Sequence, residues 1–301
     1  MGFSSIADYA AADEGGQVWV SGFRKAVASA ATTTSAWIDY TYSPGSPPAN
    51  FYASTPLAAA VVESDKGIYT GGNVAPATKH LKNLLLMSSA ASATSTTNGR
   101  QEIALCDYLL YYPFIDTDAI GEEQVMDNTV TLPRYSSAGG QVVAIGQSAA
   151  SALGQFTFSY TNQDGVAGRV SQNNFTFIVA GGGQVVGASG AGASYNPFCY
   201  LHAGDTGVRS IESVNFSVAG GGLMCLAIVK PLLKTIVSQE CRRTTSGNLE
   251  SYGACTEFAS IIHAAGAPRI HDGAVIGLLA SGYAGSLATS ILAGVIETVW
   301  N

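Results

Sequence analysis

Short stretches of alternating or continuous hydrophobic residues, separated by turn residues, fill the chain between Asp127 and Pro231. In the stretch QFTFSYTN, the aromatic residues Phe156, Phe158 and Tyr160 alternate with Thr and Ser. A period of two places the aromatic side chains on one face and the hydroxyls on the other, as in a half-buried β-strand. By this criterion strands are predicted at Thr129–Tyr135, Gln141–Ser148, Gln155–Asn162, Asn174–Val179, Ser213–Val218 and Leu223–Lys230.

Turn residues separate these strands at the expected positions. Asn162–Gly165 and Gly220–Gly222 each lie between two strand-like stretches. Leu223–Lys230 is apolar almost throughout, which indicates a strand covered on both faces. Short Gly-rich connections favour an antiparallel sandwich or barrel over parallel βαβ units. We therefore expect a mainly β fold with an antiparallel β-sandwich, jelly-roll-like core over residues 127–301.

The first 56 residues show little periodicity. A short helix is predicted at Ser5–Ala12, and a Pro-rich break follows at Pro44–Pro48. Aromatic residues are scattered among Gly, Ser, Thr and Pro, so the stretch has no obvious core of its own. We expect residues 1–56 to form an extended arm that lies along its own domain or along a neighbouring copy.

Residues 57–126 are expected to carry two helices packed on the core. Pro76–Ala93 has a proline suited to a first helical turn and apolar residues on a helical stripe. Arg100–Tyr111 is the second predicted helix, and Pro113 ends it.

The C-terminal third is harder to interpret. Residues 234–259 are expected to hold a strand, a loop at Arg242-Arg243 and a short helix near Glu250–Ile262. No charged residue lies between Asp272 and Glu297, which raises the alternative of a membrane span. Glycines divide this tail into strand-length pieces, so strand, turn and strand is the preferred prediction.

Low charge is the main compositional feature. Charged residues make up 12% of the 301 residues, and the mean hydropathy is +0.21. A typical soluble domain has about 25% charged residues. We expect copies of the chain or other partners to cover much of the surface, and the alternative is a surface of neutral polar residues.

The net charge of −7 comes from one acidic segment without Lys or Arg. Its acids are Glu102, Asp107, Asp116, Asp118, Glu122, Glu123 and Asp127. Direct binding to nucleic acid is disfavoured, since it requires a basic patch. The carboxylates suggest contact with a basic partner or a Ca²⁺ loop, but the spacing lacks the ladder of an EF-hand.

The five cysteines are Cys106, Cys199, Cys225, Cys241 and Cys255, and none forms a CxxC pair. A zinc knuckle and a thioredoxin-type motif are therefore excluded. Reduced thiols and the absence of a signal peptide predict synthesis in a cytoplasm.

Catalytic motifs are missing. No GxGxxG, GKS/T or GxSxG is present, and His80, His202, His263 and His271 are isolated in the sequence. Paired carboxylates for glycoside hydrolysis remain a minor alternative in the acidic segment. We expect no enzyme activity, no cofactor and no metal.

Several motifs resemble a block found in virion-associated proteins of tailed bacteriophages. They are Asp107–Pro113, Met126–Tyr135, Tyr160–Gly165 with Gly168-Arg169, Gly204–Ser210, Val229–Leu232, Pro268–Gly273, Gly67–Gly72 with Lys79-His80, Trp19 and Trp37. The resemblance covers most of the chain. It implies a structural protein of the phage head that decorates or cements the shell, or a minor head protein. The chain does not resemble the usual major shell protein, because it lacks a long spine helix.

This resemblance implies self-association and contact with the major capsid protein, in the virion, with no membrane. The candidate contact residues are Trp19, Phe23, Trp37, Tyr40, Tyr42, Phe51, Tyr52, Asp116, Asp118, Glu122 and Glu123. The alternatives are a neck, tail or fibre-attachment protein of the virion and a carbohydrate-binding β-sandwich. The second alternative requires aromatic side chains clustered at one open face.

Overall fold

A computed structural model describes residues 3–27, 36–88, 101–176, 182–186, 196–237, 242–245, 248–251, 268–282 and 290–301. In these residues the helical elements are α1 (Ile6–Glu14) and a 3₁₀ turn at Ser64–Lys66. The strands of the first half are β1 (Val18–Ala26), β2 (Trp37–Asp39), β3 (Gly45–Ser46), β4 (Ala60–Val61), β5 (Lys79–Ser88), β6 (Gln101–Asp116), β7 (Glu123–Val125) and β8 (Gln141–Gly146). Those of the second half are β9 (Gln155–Asn162), β10 (Arg169–Val170), β11 (Asn174–Phe175), β12 (Gln184–Val186), β13 (Val208–Val218), β14 (Leu223–Val237), β15 (Arg242–Thr245), β16 (Asn248–Ser251), β17 (Arg269–Ile270), β18 (Ile276–Gly282) and β19 (Ile291–Trp300).

The named strands pair antiparallel in three main sheets and one hairpin. Sheet A has the order β17-β5-β19-β1-β3, and sheet C has the order β10-β9-β13-β7 with β11 also on β9. Sheet B runs β14-β8-β12-β2-β18-β6, with β4 beyond β6, and β14 also pairs with β6. That last pairing closes six strands of sheet B into a ring. The hairpin is β15-β16.

Sheet B lies between the other two sheets. Its side towards sheet C packs Tyr112 and Leu226 against Phe156 and Phe216. Its side towards sheet A forms a second core cluster, in which Leu105 packs with residues such as Leu84 and Ile296. A third cluster fills the interior of the ring. The predicted mainly β, antiparallel, sandwich-like fold is therefore confirmed.

The strands of the central block confirm much of the periodicity argument. Phe156, Phe158 and Tyr160 are buried, while the intervening residues of β9 are partly exposed. β14 is covered on both faces as expected: Leu226 faces sheet C, and Cys225 points into the ring. The prediction at Thr129–Tyr135 is wrong, since these residues form no strand.

Side-chain hydrogen bonds explain the missing strand. The Asp127 carboxylate accepts from the amide of Thr129 at 3.1 Å, and Asn128 donates to the carbonyl of Ile211 at 2.7 Å. Such local bonds compete with a strand ladder, and Pro133 has no amide hydrogen to donate. The other central prediction, Asn174–Val179, is a strand at Asn174–Phe175, and residues 177–179 lie outside the described part.

Both helices predicted between residues 76 and 111 are wrong, because they are strands β5 and β6. The side chains of Leu84 and Leu86 point into the core, and Leu85 between them does not, so the period is two. The same leucines also fit a helical stripe. β6 is buried on both faces, because its side chains point alternately into the ring and towards sheets A and C, so its apolar residues carry no periodic signal.

Residues expected to form an irregular arm contribute strands to the core, so that expectation is corrected. β1 pairs with β19 along its whole length, and β2 lies between β12 and β18. The helix predicted at Ser5–Ala12 is confirmed as α1, whose Ser5 hydroxyl accepts from the Asp8 amide. The division of the chain at residues 56 and 126 stays a prediction.

In the C-terminal third, the predicted tail strands are present as β18 and β19, separated by residues outside the described part. Arg242-Arg243 lies in β15 rather than in a loop. Of the helix predicted near Glu250–Ile262, residues 252–262 lie outside the described part. Among the described residues, no helix is long and apolar enough to cross a bilayer.

Candidate interaction face

Four aromatic residues proposed to contact a partner lie in the core of the chain instead. Phe23, Trp37, Tyr40 and Tyr52 are 0–4% exposed. Phe23 and Tyr40 fill the space between sheets A and B, whereas Trp37 and Tyr52 belong to the cluster inside the ring. They cannot touch a partner in the folded chain, and this part of the candidate set is corrected.

The other three aromatic candidates remain at the surface. Trp19 is 39% exposed and Phe51 is 56% exposed. Tyr42 is partly exposed, and its ring packs edge-on against Phe51 at 5.1 Å between centroids. Their contact with a partner stays a prediction.

The four acidic candidates are exposed, and three of them hold local structure. Asp116 accepts from the amide of Asp118 at 2.8 Å, and Asp118 accepts from the amide of Gly221 at 2.9 Å. Glu123 accepts from the hydroxyl of Ser213 at 2.6 Å, and Glu122 is exposed beside it. Nowhere in the described residues do three or more His, Cys, Asp or Glu side chains converge on a possible metal site.

The ring of sheet B encloses a carboxylate that the sequence analysis missed. Asp39 is fully buried and accepts hydrogen bonds from the amide of Thr41 at 2.9 Å and from the hydroxyl of Tyr108 at 2.8 Å. The hydroxyls of Thr41 and Tyr52 also donate to it. Burial raises the pKa of Asp39 despite these bonds. The side chain is sealed from solvent, so its role is structural.

A second buried carboxylate forms an ion pair. Arg134 donates to both oxygens of Asp107 at 2.7 and 2.8 Å, and the amide of Val275 donates to Asp107 at 2.9 Å. Burial nevertheless raises the pKa of Asp107. This pair ties the irregular segment after Asn128 to β6, which again is a structural task.

Asp205 lies at one end of sheet C and has the opposite pKa shift. Its oxygens accept from Tyr160 at 2.6 Å, Asn162 at 2.9 Å and the guanidinium of Arg169 at 2.9 Å. Desolvation raises its pKa, but these donors outweigh that effect and lower the pKa to about 2. The guanidinium also contacts the His202 ring at 2.7 Å.

A depression beside Lys25 encloses about 200 Å³, including solvent at its mouth. Burial lowers the pKa of Lys25 to about 8. Its ammonium donates to the carbonyls of Pro47 at 2.8 Å, Pro48 at 3.3 Å and Thr41 at 3.5 Å. All three donors are therefore engaged, and the lysine anchors the loop after β2 rather than a ligand.

The described cysteines are also unsuited to chemistry. Cys106, Cys199 and Cys225 are buried and free. Burial raises the pKa of each thiol, in the case of Cys199 to about 12. They remain protonated at neutral pH and are poor nucleophiles.

The outer face of sheet A, turned away from sheet B, is apolar over half of its length. In the pairing register Leu85 lies beside Val295, and Val295 lies beside Gly22. Leu84 and Leu86 point into the core, so Leu85 points outwards. The residues that share this outward direction define the apolar face: Val20, Leu85, Met87, Ala293 and Val295.

Helix α1 covers only the other half of this outer surface. The Phe3 ring contacts the His80 ring at 5.9 Å, and Lys82 pairs with Asp13 at 2.6 Å. On the apolar face, Val20 is 62% exposed and Met87 is 40% exposed. Sequence analysis missed this face because β5 was interpreted as a helix. Leu84, Leu85 and Leu86 are all apolar, so the sequence carries no alternation at this point.

No protein-family model, curated protein or solved structure matches this chain.

Proposed function

We propose that the chain is a non-enzymatic structural protein of a bacteriophage virion. In this proposal it decorates or cements the head by self-association and by contact with the major capsid protein. The observation that supports it best is the apolar face of sheet A. On this face Val20 and Met87 are exposed, and Leu85, Ala293 and Val295 are partly buried. A sheet stabilises a fold by burying apolar surface, so covering this face with another molecule would be favourable.

The chemistry of the described groups agrees with a structural role. The buried carboxylates are held by hydroxyl, amide or guanidinium donors of the chain itself. The buried thiols are protonated at neutral pH.

A second copy of the chain is the occupant that fits the charges of the apolar face. At one end of the face, Arg24 and Met87 are aligned across the strands, since both pair with Ala293 of β19. At the other end, Glu297 pairs with Val20. Two copies could stack their sheets A with the apolar faces towards each other. If a two-fold axis lies between these sheets and runs perpendicular to the strands, Arg24 of one copy is placed over Val20 of the other. Glu297 of that copy would lie one strand spacing further across, about 5 Å in projection, with the two sheets about 10 Å apart. In its own chain Glu297 also accepts from Asn83 at 2.7 Å and pairs with Lys82 at 3.8 Å.

The size of the face indicates that one such contact is weak. Three strands about 4.8 Å apart and five residues at about 3.4 Å each give about 250 Å². Stable interfaces bury about 800 Å² per partner. Repetition of a small contact around a symmetric particle would supply the missing stability by raising the effective concentration of each neighbour.

Density-gradient sedimentation of the source particles, with quantification of this chain in each fraction, tests the proposal. Co-sedimentation with intact particles at a copy number near that of the shell protein is the expected result. A few to a dozen copies, on the order expected for a single symmetric ring, would favour the neck, tail or fibre alternative. Recovery only as a small species at the top of the gradient would contradict a virion role.

A further inference from the structure

Three aromatic side chains cluster at the surface where β1 and β19 reach the end of sheet A. The Trp19 and Trp300 rings stack with centroids 5.8 Å apart and an angle of 28°. Tyr69 packs edge-on against Trp19 at 6.1 Å. Of the three tryptophans in the chain, two are in this aromatic cluster and the third, Trp37, is buried in the core.

The loop that carries Tyr69 is built to hold the cluster in place. Gly71 has φ +89° and lies so close to Trp19 that a Cβ atom there would be 2.0 Å from the indole Cδ1. The ammonium of buried Lys79 donates to the carbonyls of Gly71 at 3.4 Å and Gly72 at 3.1 Å. The aromatic cluster is therefore fixed by backbone contacts and by a buried cation.

The exposure of the cluster distinguishes it from the aromatic residues of the core. Trp19 is 39% exposed and Tyr69 is 59% exposed. Within the part of the chain that the structure describes, neither indole N–H of the cluster nor the Tyr69 hydroxyl has a hydrogen-bond partner. By contrast, the hydroxyls of buried Tyr52 and Tyr108 both donate to Asp39.

We propose that the aromatic cluster is a carbohydrate-binding site for oligosaccharides of pyranoses with equatorial substituents, for which cellohexaose and chitohexaose are suitable probes. A pyranose with equatorial substituents presents a flat C–H surface, which packs on an aromatic ring, and hydroxyl groups around its edge. Those oxygens can accept from the indole N–H groups and the phenol hydroxyl that the chain leaves unpaired. A fixed loop reduces the entropy lost when the sugar binds.

Titration of the full chain with cellohexaose and, separately, with chitohexaose tests the proposal by tryptophan fluorescence and by calorimetry. A saturable fluorescence change is expected with at least one of them, since two of the three tryptophans are in the cluster. Tyr69→Ala should weaken binding by about tenfold, because stacking area and a hydrogen bond are lost together. Trp19→Ala should abolish it.

Phe51→Ala is the matched control, because Phe51 is similarly exposed at 56% and lies outside the cluster. It should leave the affinity for either oligosaccharide unchanged. Circular dichroism shows whether each variant is folded. If Trp19→Ala does not fold, the surface variant Tyr69→Ala still tests the proposal. Absence of saturable binding to both hexasaccharides would overturn the proposal, as would equal losses in Tyr69→Ala and Phe51→Ala. Neither outcome bears on the virion role, which the sedimentation experiment tests separately.

Discussion

Sheets A and C each bury one face against sheet B, but their outer faces differ in chemistry. On sheet C, Thr157, Ser159 and Thr161 of β9 face outwards, and Ser159 shares a hydrogen bond of 2.6 Å with Ser213. Ser213 in turn donates to Glu123. Apolar residues such as Val125 occur there singly. On sheet A the outward residues Leu85, Met87, Ala293 and Val295 adjoin one another.

This difference separates a face whose polar residues bond within the chain from a face whose apolar side chains water reaches. On sheet C the hydroxyl of Thr161 also donates to Glu212 at 2.6 Å, and these polar side chains stay compatible with water. The apolar side chains of sheet A gain free energy only if something covers them, at about 25 cal/mol per Å² buried. The inner faces of both sheets, in contrast, are buried, and sheet A also buries Lys25 and Lys79 there.

The largest expected effect comes from the inner faces, where the two sheets should behave alike. Phe23→Ala in sheet A and Phe158→Ala in sheet C remove side chains that are 4% and 1% exposed. Each should lower the free energy of unfolding by about 3–5 kcal/mol, the usual cost of a large cavity. Urea denaturation of both variants measures the cost. A loss below about 1 kcal/mol for Phe23→Ala would mean that β1 is not a core strand.

A smaller effect tests how sheet C holds its own polar groups. The donors around Asp205 lower its pKa to about 2, below the ordinary value of an aspartate. The ionised carboxylate therefore stabilises the folded state, and this stabilisation is complete at pH values above the ordinary pKa. This stabilisation is lost as the pH falls through the folded pKa. Asp205→Asn should be less stable than wild type at pH 7, and the difference should shrink towards pH 2. Thermal unfolding measured across this range checks the prediction, and a difference independent of pH would contradict it.

The sequence predicts strands best where one face is buried and the other is exposed to solvent. β9 is such a strand, and its predicted bounds agree with the structure. β5 and β6 are predicted as helices from local patterns, but pairing with distant strands determines their conformation. β5 pairs with β19 and β6 pairs with β14, partners more than 100 residues away, and no local pattern reports those contacts.

The candidate site was harder to predict than the fold. Aromatic residues such as Tyr40 and Tyr52 were proposed as surface contacts because the stretch around them lacks periodicity, yet they are buried. Trp19 and Phe51 were proposed on the same ground and are exposed. Composition alone cannot separate these cases. Exposure depends on whether the residue is enclosed between two sheets or inside the ring, which only the strand order determines.

Sedimentation of matched valine variants tests the central claim most directly. Val20 on the apolar face of sheet A and Val125 on the outer face of sheet C are 62% and 66% exposed. Both variants, Val20→Asp and Val125→Asp, should fold with stability close to wild type, since neither residue is in the core. Sedimentation equilibrium of each, up to its solubility limit, measures self-association. The account predicts that wild type and Val125→Asp associate as concentration rises and that Val20→Asp does not. A monomeric wild type, or equal association of both variants, would contradict it.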